Sequence, residues 1–397
     1  MSLGARLPVR SLGSRMIQSM EDSLMGPLAG VKIVEFTGIG PAPLAAMMLA
    51  DMGATIIRID RTGPTDLGVP MPEKFEFTKR SRAVIGLDLK KPDAIQLALR
   101  LIDGADALIE GFRPGVMERL GLGPDVCLTR NPRLAYGRVT GWGQDGPLAL
   151  AAGHDLNYIA LTGALHAIGR KGQKPTPPLN LVGDYGGGAL YLVTGLLAAI
   201  ISARATGAGQ VVDAAMVDGA LSLMTPIYAM KAGGRLSAPR GENQLDSGAY
   251  FYEVYECADG QFISIASIEA KFHAELLQRL EIDPATMAPQ HDRLKWPDAK
   301  DRLTALFKTR TRDGWCHVLE GTDVCFAPVL SMDEAHDHPH NTARSAFIEV
   351  GGMRQPAPAP RFVTTKLDHP KPPGSLDPRE TLREWGLSSA ELAALPI

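Results

Sequence analysis

Cysteine is scarce in this chain, with four residues, Cys127, Cys257, Cys316 and Cys325, among 397. They are too few and too scattered for a disulfide framework, and no Cys-x-x-Cys pair points to zinc. A reduced, cytoplasmic setting is the expectation. An excess of either charge is missing too, because 41 Lys and Arg face 44 Asp and Glu and leave a formal charge of −3. No domain-sized stretch is strongly basic, so a nucleic-acid partner has no electrostatic footprint. Long apolar runs are also lacking. The longest, such as 189–202, fall short of the roughly 18 residues that cross a bilayer, and no membrane span is expected. Residues 1–26 carry Arg6, Arg10 and Arg15 among serines, without the apolar block of a secretory signal, and read as a leader or disordered extension.

What the chain has is apolar content, 45% against 21% charged, enough to bury a core across two or three domains. Glycine (42) and proline (30) make up about 18% of residues against a usual value near 12%. That level signals many tight turns and stays below low complexity. No internal repeat is present.

The pattern from residue 31 alternates strand and helix. Residues 31–36 are β-rich, 37–43 form a Gly/Pro turn, 44–52 are helical, and 55–61 are β-branched again. Strands at 83–89, 105–110 and 133–140 follow, with a helix at 92–103 opened by its own proline. These units predict an α/β fold with a doubly wound, Rossmann-like and mainly parallel sheet. An apolar helix to about 205, a short strand at 210–214 and a helix near 217–231 complete a large domain over 27–232. The polar, Gly-rich stretch 233–248 reads as a linker and 249–345 as a smaller α+β domain. Residues 346–397 form a Pro-rich extended return, ending in a helix at 378–385 that packs on the large domain.

The turn Gly38-Ile39-Gly40, with Asp60 closing the next strand, resembles a dinucleotide fingerprint but has Pro43 where the third glycine belongs. A proline there offers no N–H to a pyrophosphate. A plain connecting turn is the expected reading, and no dissociable cofactor is expected. Arg61, Arg113 and Arg119 lie at or just after strand ends, where open parallel sheets bind ligands, and guanidinium forks suit phosphate. Each read singly is an ordinary solvated charge.

Two strings carry chemistry: Gly153-His154-Asp155-Leu156-Asn157-Tyr158, and Asn180 to Gly188, which holds Gly183-Asp184-Tyr185-Gly186-Gly187-Gly188. Both place an ionisable side chain beside glycine at a helix start. Helix N-terminal N–H groups hold an oxyanion, and consecutive glycines admit a thioester without obstruction. A base beside such a site is what proton abstraction next to a carbonyl needs. The bland alternative stays open: Asp155 and Asp184 as N-caps, and His154 as a satisfied turn residue.

Together with 27–61, 110–119, 140–147, 209–219 and 255–260, these strings resemble the family III CoA-transferase (CaiB/BaiF) superfamily, in its α-methylacyl-CoA racemase branch. The resemblance covers the chain from Pro27 to about Arg361. Racemases resemble this chain in having His154 directly before the aspartate, whereas transferases usually lack it and use the residue matching Asp184 as nucleophile. The resemblance implies an isomerase of fatty-acid and lipid metabolism acting on 2-methylacyl-CoA. His154 and Asp184 would be its opposed bases, and Glu269, from the other subunit of an interlocked homodimer, would orient His154. It further implies CoA binding by Arg61, Leu87, Asp88, Leu89, Lys90, Gly111, Phe112, Arg113 and Arg119. The thioester would lie along Gly153, Asp155–Tyr158 and the residues flanking Asp184, and the acyl chain toward Met224 and Met230, which have an equally good reading as core. Two alternatives remain at this point: a CoA-transferase in which Asp184 attacks the acyl group, and a silent acyl-CoA-binding protein.

Overall fold

The computed structural model describes residues 26–63, 71–236, 238–287 and 289–393. The segment read as a leader lies outside the described residues apart from Gly26. Strand β1 (Lys32–Phe36) leads through the glycine turn into helix α1 (Pro41–Asp51) and strand β2 (Thr55–Asp60). The helix begins three residues before the expected 44, because a proline at the first helical position gives up an N–H that has no partner there anyway. β3 (Ala83–Gly86), α2 (Pro92–Ile102), β4 (Ala107–Glu110), α3 (Val116–Arg119) and β5 (Ala135–Thr140) continue the alternation. After α4 (Asp155–Leu161), residues Leu181–Ala189 wind as a π-helix directly into α5 (Leu190–Thr206). β6 (Gln210–Ala215), α6 (Met216–Leu223) and α7 (Thr225–Ala232) follow, so the helix expected near 217–231 is two, separated at Met224. Then come β7 (Tyr252–Glu256), β8 (Phe262–Ala266), α8 (Ala270–Arg279), β9 (Phe326–Val329) and, near the end, α9 (Pro378–Glu384).

Six parallel strands form one sheet in the order β3-β2-β1-β4-β5-β6. Strand alternation sends Val34 and Phe36 to one face, against Ile59, Leu101, Leu382 and Trp385. Ile33 and Ile109 go to the other, against Leu49, Leu192 and Leu196. Both faces are covered, as a parallel sheet requires. Each such aliphatic side chain contributes about 1.5–3 kcal/mol by leaving water. The helix over Leu181–Thr206 is long and apolar enough to cross a membrane by length and composition, although uninterrupted apolar runs understate it. Its Leu192, Leu196 and Ala199 are instead buried against the sheet.

The chain divides into two compact units, one of Met1–Ala152, Asp184–Gly219 and Ile348–Ile397, the other of Gly153–Gly183 and Ala220–Phe347. The second contains the antiparallel sheet β7-β8-β9. This differs from a large domain over 27–232 and a small one over 249–345, since 153–183 and 220–232 cluster with the second unit. The stretch 233–248 belongs there too. Its polarity is used internally: the Asn243 side chain accepts from the Ala238 N–H at 3.1 Å and donates to Asp246 at 2.8 Å, while Lys300 reaches the Ser247 carbonyl.

Candidate active site

At the carboxyl ends of β1, β2 and β3, a cleft of about 430 Å³ opens in the first unit. Arg61, Leu87, Asp88, Leu89, Lys90 and Phe112 line it, together with Thr37, Asp60, Val116 and Leu120. Leu87 is buried, while Arg61 and Lys90 are exposed at its rim. Gly111, Arg113 and Arg119 are outside the lining. Arg113 and Arg119 are exposed on the segment that carries α3. Gly111 is exposed, and a Cβ there would make only ordinary contacts, 3.5 Å from the Val139 carbonyl oxygen and 3.6 Å from Ala42 Cβ.

Beneath this cleft runs a buried chain of charges. Glu35, wholly buried on β1, faces Arg58 Nη1 at 2.8 Å and Arg82 Nε at 3.1 Å. Asp60 Oδ1 accepts from Arg58 Nε at 2.6 Å and from the Thr37 hydroxyl. The acid that imitated a ribose ligand is thus tied into the floor. Alongside, burial pushes the Glu110 carboxyl up, opposed by the Phe112 N–H and by Arg138 at 2.7 Å.

His154 caps α4 in extended backbone, with its side chain exposed. Its N–H donates to Asn157 Oδ1 at 3.0 Å, and the Asn157 N–H returns to the His154 carbonyl at 2.8 Å. The buried Tyr158 donates its hydroxyl to the Gly153 carbonyl. Asn157 and Tyr158, expected beside the thioester, therefore fix the turn that presents His154. Asp155 is 5% exposed, and its Oδ2 accepts from the Gly183 N–H at 2.7 Å. That bond joins the residue after His154 to the residue before Asp184, so the two strings are physically tied. Leu156 is exposed.

Asp184 lies inside the π-helical segment, four residues into it, and is half-buried with Tyr185 and Gly186. Gly183, Gly187 and Gly188 are buried. A Cβ on Gly219 would come within 1.9 Å of the Gly187 carbonyl oxygen, so α6 rides directly on this backbone. Gly219, without a side chain, thus lets α6 approach the Gly187 backbone closely. Sequence reading passed over Gly40 as part of a connecting turn. Its φ is +67°, a conformation that favours glycine, and a Cβ there would lie 3.1 Å from Asp184 Oδ2. The Gly40-Pro41 pair at the start of the helix was the available signal.

Glu269 is exposed at the N-terminal end of α8, where its carbonyl accepts the His273 N–H at 2.9 Å. Within one chain it makes no hydrogen bond or ion pair with His154. Met224 packs against Ile159, Ala164 and Ala220, in line with its reading as core. Met230 is half-buried. Among the described residues, no group of three or more His, Cys, Asp or Glu side chains is arranged to hold a metal ion.

The family model for CoA-transferase family III matches residues 28–379. The chain is 40% identical to the Mus musculus protein named alpha-methylacyl-CoA racemase, over 93% of this chain and 96% of that one. It is 38% identical to the Homo sapiens protein of the same name, with the same coverage. A crystal structure of a CaiB/BaiF family protein from Brucella suis shares the fold, with a TM-score of 0.78 at 24% identity, covering 93% of this chain and all of that one.

Proposed function

This chain belongs to CoA-transferase family III, and on that premise we propose that it is an α-methylacyl-CoA racemase, interconverting the (R) and (S) forms of 2-methylacyl-CoA thioesters. The observation that carries the reading is the Asp155–Gly183 hydrogen bond, which joins the residue that follows an exposed histidine to the residue that precedes an aspartate. A transferase needs only the aspartate. Inversion at a carbon next to a carbonyl needs one base on each face of a planar enolate, and His154 and Asp184 are that pair. One removes the proton while the other, protonated, returns it from the far side. The positive end of the 181–189 helical turn favours the enolate charge.

The CoA moiety occupies the sheet-end cleft, with Arg61 and Lys90 at its phosphates and Phe112 and Leu87 along its apolar portion; Arg113 and Arg119 extend the cationic rim. CoA enters as part of the substrate and no dissociable cofactor takes part. Glu269 acts across a homodimer, orienting His154 of the other subunit. Support for such an assembly comes from the exposed apolar side chains of the second unit, Leu156, Leu161, Leu179, Leu181, Leu221 and Leu223. Four unpaired cysteines, two of them buried, fit a cytoplasmic location.

The test is incubation of one enantiomer in deuterated water. The expected products are the opposite enantiomer and deuterium at C2. Retention of configuration and of the α-proton, with an acyl hydroxamate trapped by hydroxylamine, would instead establish the transferase. Asp155→Ala probes the tie. It leaves the buried Gly183 N–H without its acceptor, which costs about 1–3 kcal/mol of stability. Turnover is expected to fall at least about tenfold through misplaced bases, while KM for the thioester stays within about twofold. Melting and steady-state kinetics check both values.

A further inference from the structure

Strand β8 ends at Ala266 and α8 begins at Ala270, so Ser267, Ile268 and Glu269 turn the chain from sheet to helix. Ser267 is wholly buried. Its N–H donates to the Phe251 carbonyl at 2.9 Å and its hydroxyl to the Val324 carbonyl at 2.6 Å. The Ile268 N–H returns to the Ala266 carbonyl at 2.8 Å. One side chain takes the carbonyls of both residues: Gln290 Nε2 donates to Ser267 at 3.0 Å and to Ile268 at 2.8 Å. A glutamine amide carries two N–H donors, and only its nitrogen can face two carbonyls. Gln290 is itself fixed, because its own carbonyl accepts the indole N–H of the buried Trp296 at 2.8 Å. On the helical side, the buried His273, one turn into α8, meets the Tyr250 hydroxyl through Nε2 at 2.7 Å.

Glu269 follows this corner directly, with an exposed side chain on extended backbone. It occupies the N-cap of α8, where Ser, Thr, Asp or Asn ordinarily closes the first turn, and its side chain makes no capping bond. Its backbone is therefore fixed from both sides, while its carboxylate is not drawn back onto its own helix. We propose that Gln290 and Ser267 are positioning residues for catalysis, clamping the corner that aims Glu269. They act through Glu269 and do not touch substrate. The inference rests on the racemase reading, in which Glu269 orients His154 of the other subunit. A displacement of about 1 Å in a catalytic constellation costs up to about 10²-fold in rate. Glutamate has three side-chain torsions of its own, so a corner free to shift would add to that spread.

The experiment follows α-proton exchange of separate (R) and (S) thioesters at saturation in deuterated water, for the parent, Gln290→Met, Glu269→Gln and the double variant. Methionine keeps an unbranched, flexible side chain and offers no N–H donor. Asp184→Asn identifies the enantiomer whose α-proton His154 removes, as the one that still exchanges. Exchange of that enantiomer is expected to fall about tenfold in Gln290→Met, and exchange of the other by no more than about twofold, because Glu269 serves His154. KM for the thioester should stay within about twofold. The double variant should lie within about twofold of Glu269→Gln, since a residue that acts through a carboxylate has nothing left to aim once that carboxylate is gone. Exchange that is unchanged in Gln290→Met, or lowered alike for both enantiomers, overturns the proposal. So does a double variant whose loss is the product of the two single losses. Should Gln290→Met fail to fold, Ser267→Ala, which removes only the hydroxyl bond to Val324, carries the same expectations and the same overturning outcomes. Failure of the underlying reading looks different: a Glu269→Gln variant with the parent's exchange removes Glu269 from the mechanism and the clamp with it, and a parent that exchanges no α-proton removes the racemase itself.

Discussion

Replacing either His154 or Asp184 by alanine is expected to slow racemisation by about 10²–10⁴-fold, the range over which a positioned acid or base acts. Binding of the CoA thioester should change by no more than about twofold. The separation follows from where the groups lie. Asp184 is held against Gly40 in the π-helical segment, and His154 at the N-cap of α4. The nucleotide and pantetheine are assigned to the cleft lined by Arg61, Leu87 and Lys90. Because each base serves both directions, one removing and the other returning the proton, the double variant should be little worse than either single one. Chiral analysis of product and titration of CoA measure the two quantities. A single variant racemising near the parent rate would remove that residue from the pair.

The second large effect concerns stability. Glu35→Ala is expected to cost about 3–5 kcal/mol, because it leaves two guanidinium groups in the sheet interior without their shared carboxylate. Arg82 is wholly buried and faces Glu35 Oε2 at 3.1 Å; Arg58 faces Oε1 at 2.8 Å. Burial already pushes the Arg82 guanidinium down, opposed chiefly by Glu35. A loss of this size takes a large share of the 5–15 kcal/mol by which a domain is ordinarily stable. Arg58 retains Asp60 at 2.6 Å, so Arg82 carries most of the cost. Adding Arg82→Met to Glu35→Ala should recover at least half of it, since an apolar side chain needs no counter-charge. Denaturant titration of the parent, single and double variants closes the cycle. A single variant within about 1 kcal/mol of the parent would show that the pair is not sustaining the sheet.

Much of the sheet was legible, because strands such as β1 and β2 are short runs rich in isoleucine and valine that follow a glycine closely. β1, β2 and β5 fall within two residues of where the sequence places them. Strand periodicity also separates Ile33 from Val34 onto opposite faces without any knowledge of the helices. The division into units was not legible, because it depends on contacts rather than composition. Residues 153–183 directly follow the large-domain strands in the sequence, yet cluster with residues that follow Gly219. Roles within the two chemical strings were legible only in part. A histidine before an aspartate stands out, whereas the burial of Asp155, the packing of Gly187 beneath Gly219 and the approach of Gly40 to Asp184 exist only once distant segments meet. Glycine reports that space is needed and does not say what fills it.

The most direct measurement of the two-base mechanism follows α-proton exchange by NMR in deuterated water, on separate (R) and (S) thioesters, for the parent, His154→Gln and Asp184→Asn. Asparagine and glutamine approximate the shape of the original side chains but cannot take up the proton, so each variant lacks one base and keeps the other. The expected result is complementary: exchange of both enantiomers by the parent, and exchange of one enantiomer alone by each variant, opposite between the two, with inversion absent from both. Equal residual exchange of both enantiomers by either variant would contradict the opposed pair and leave a single base to account for the chemistry.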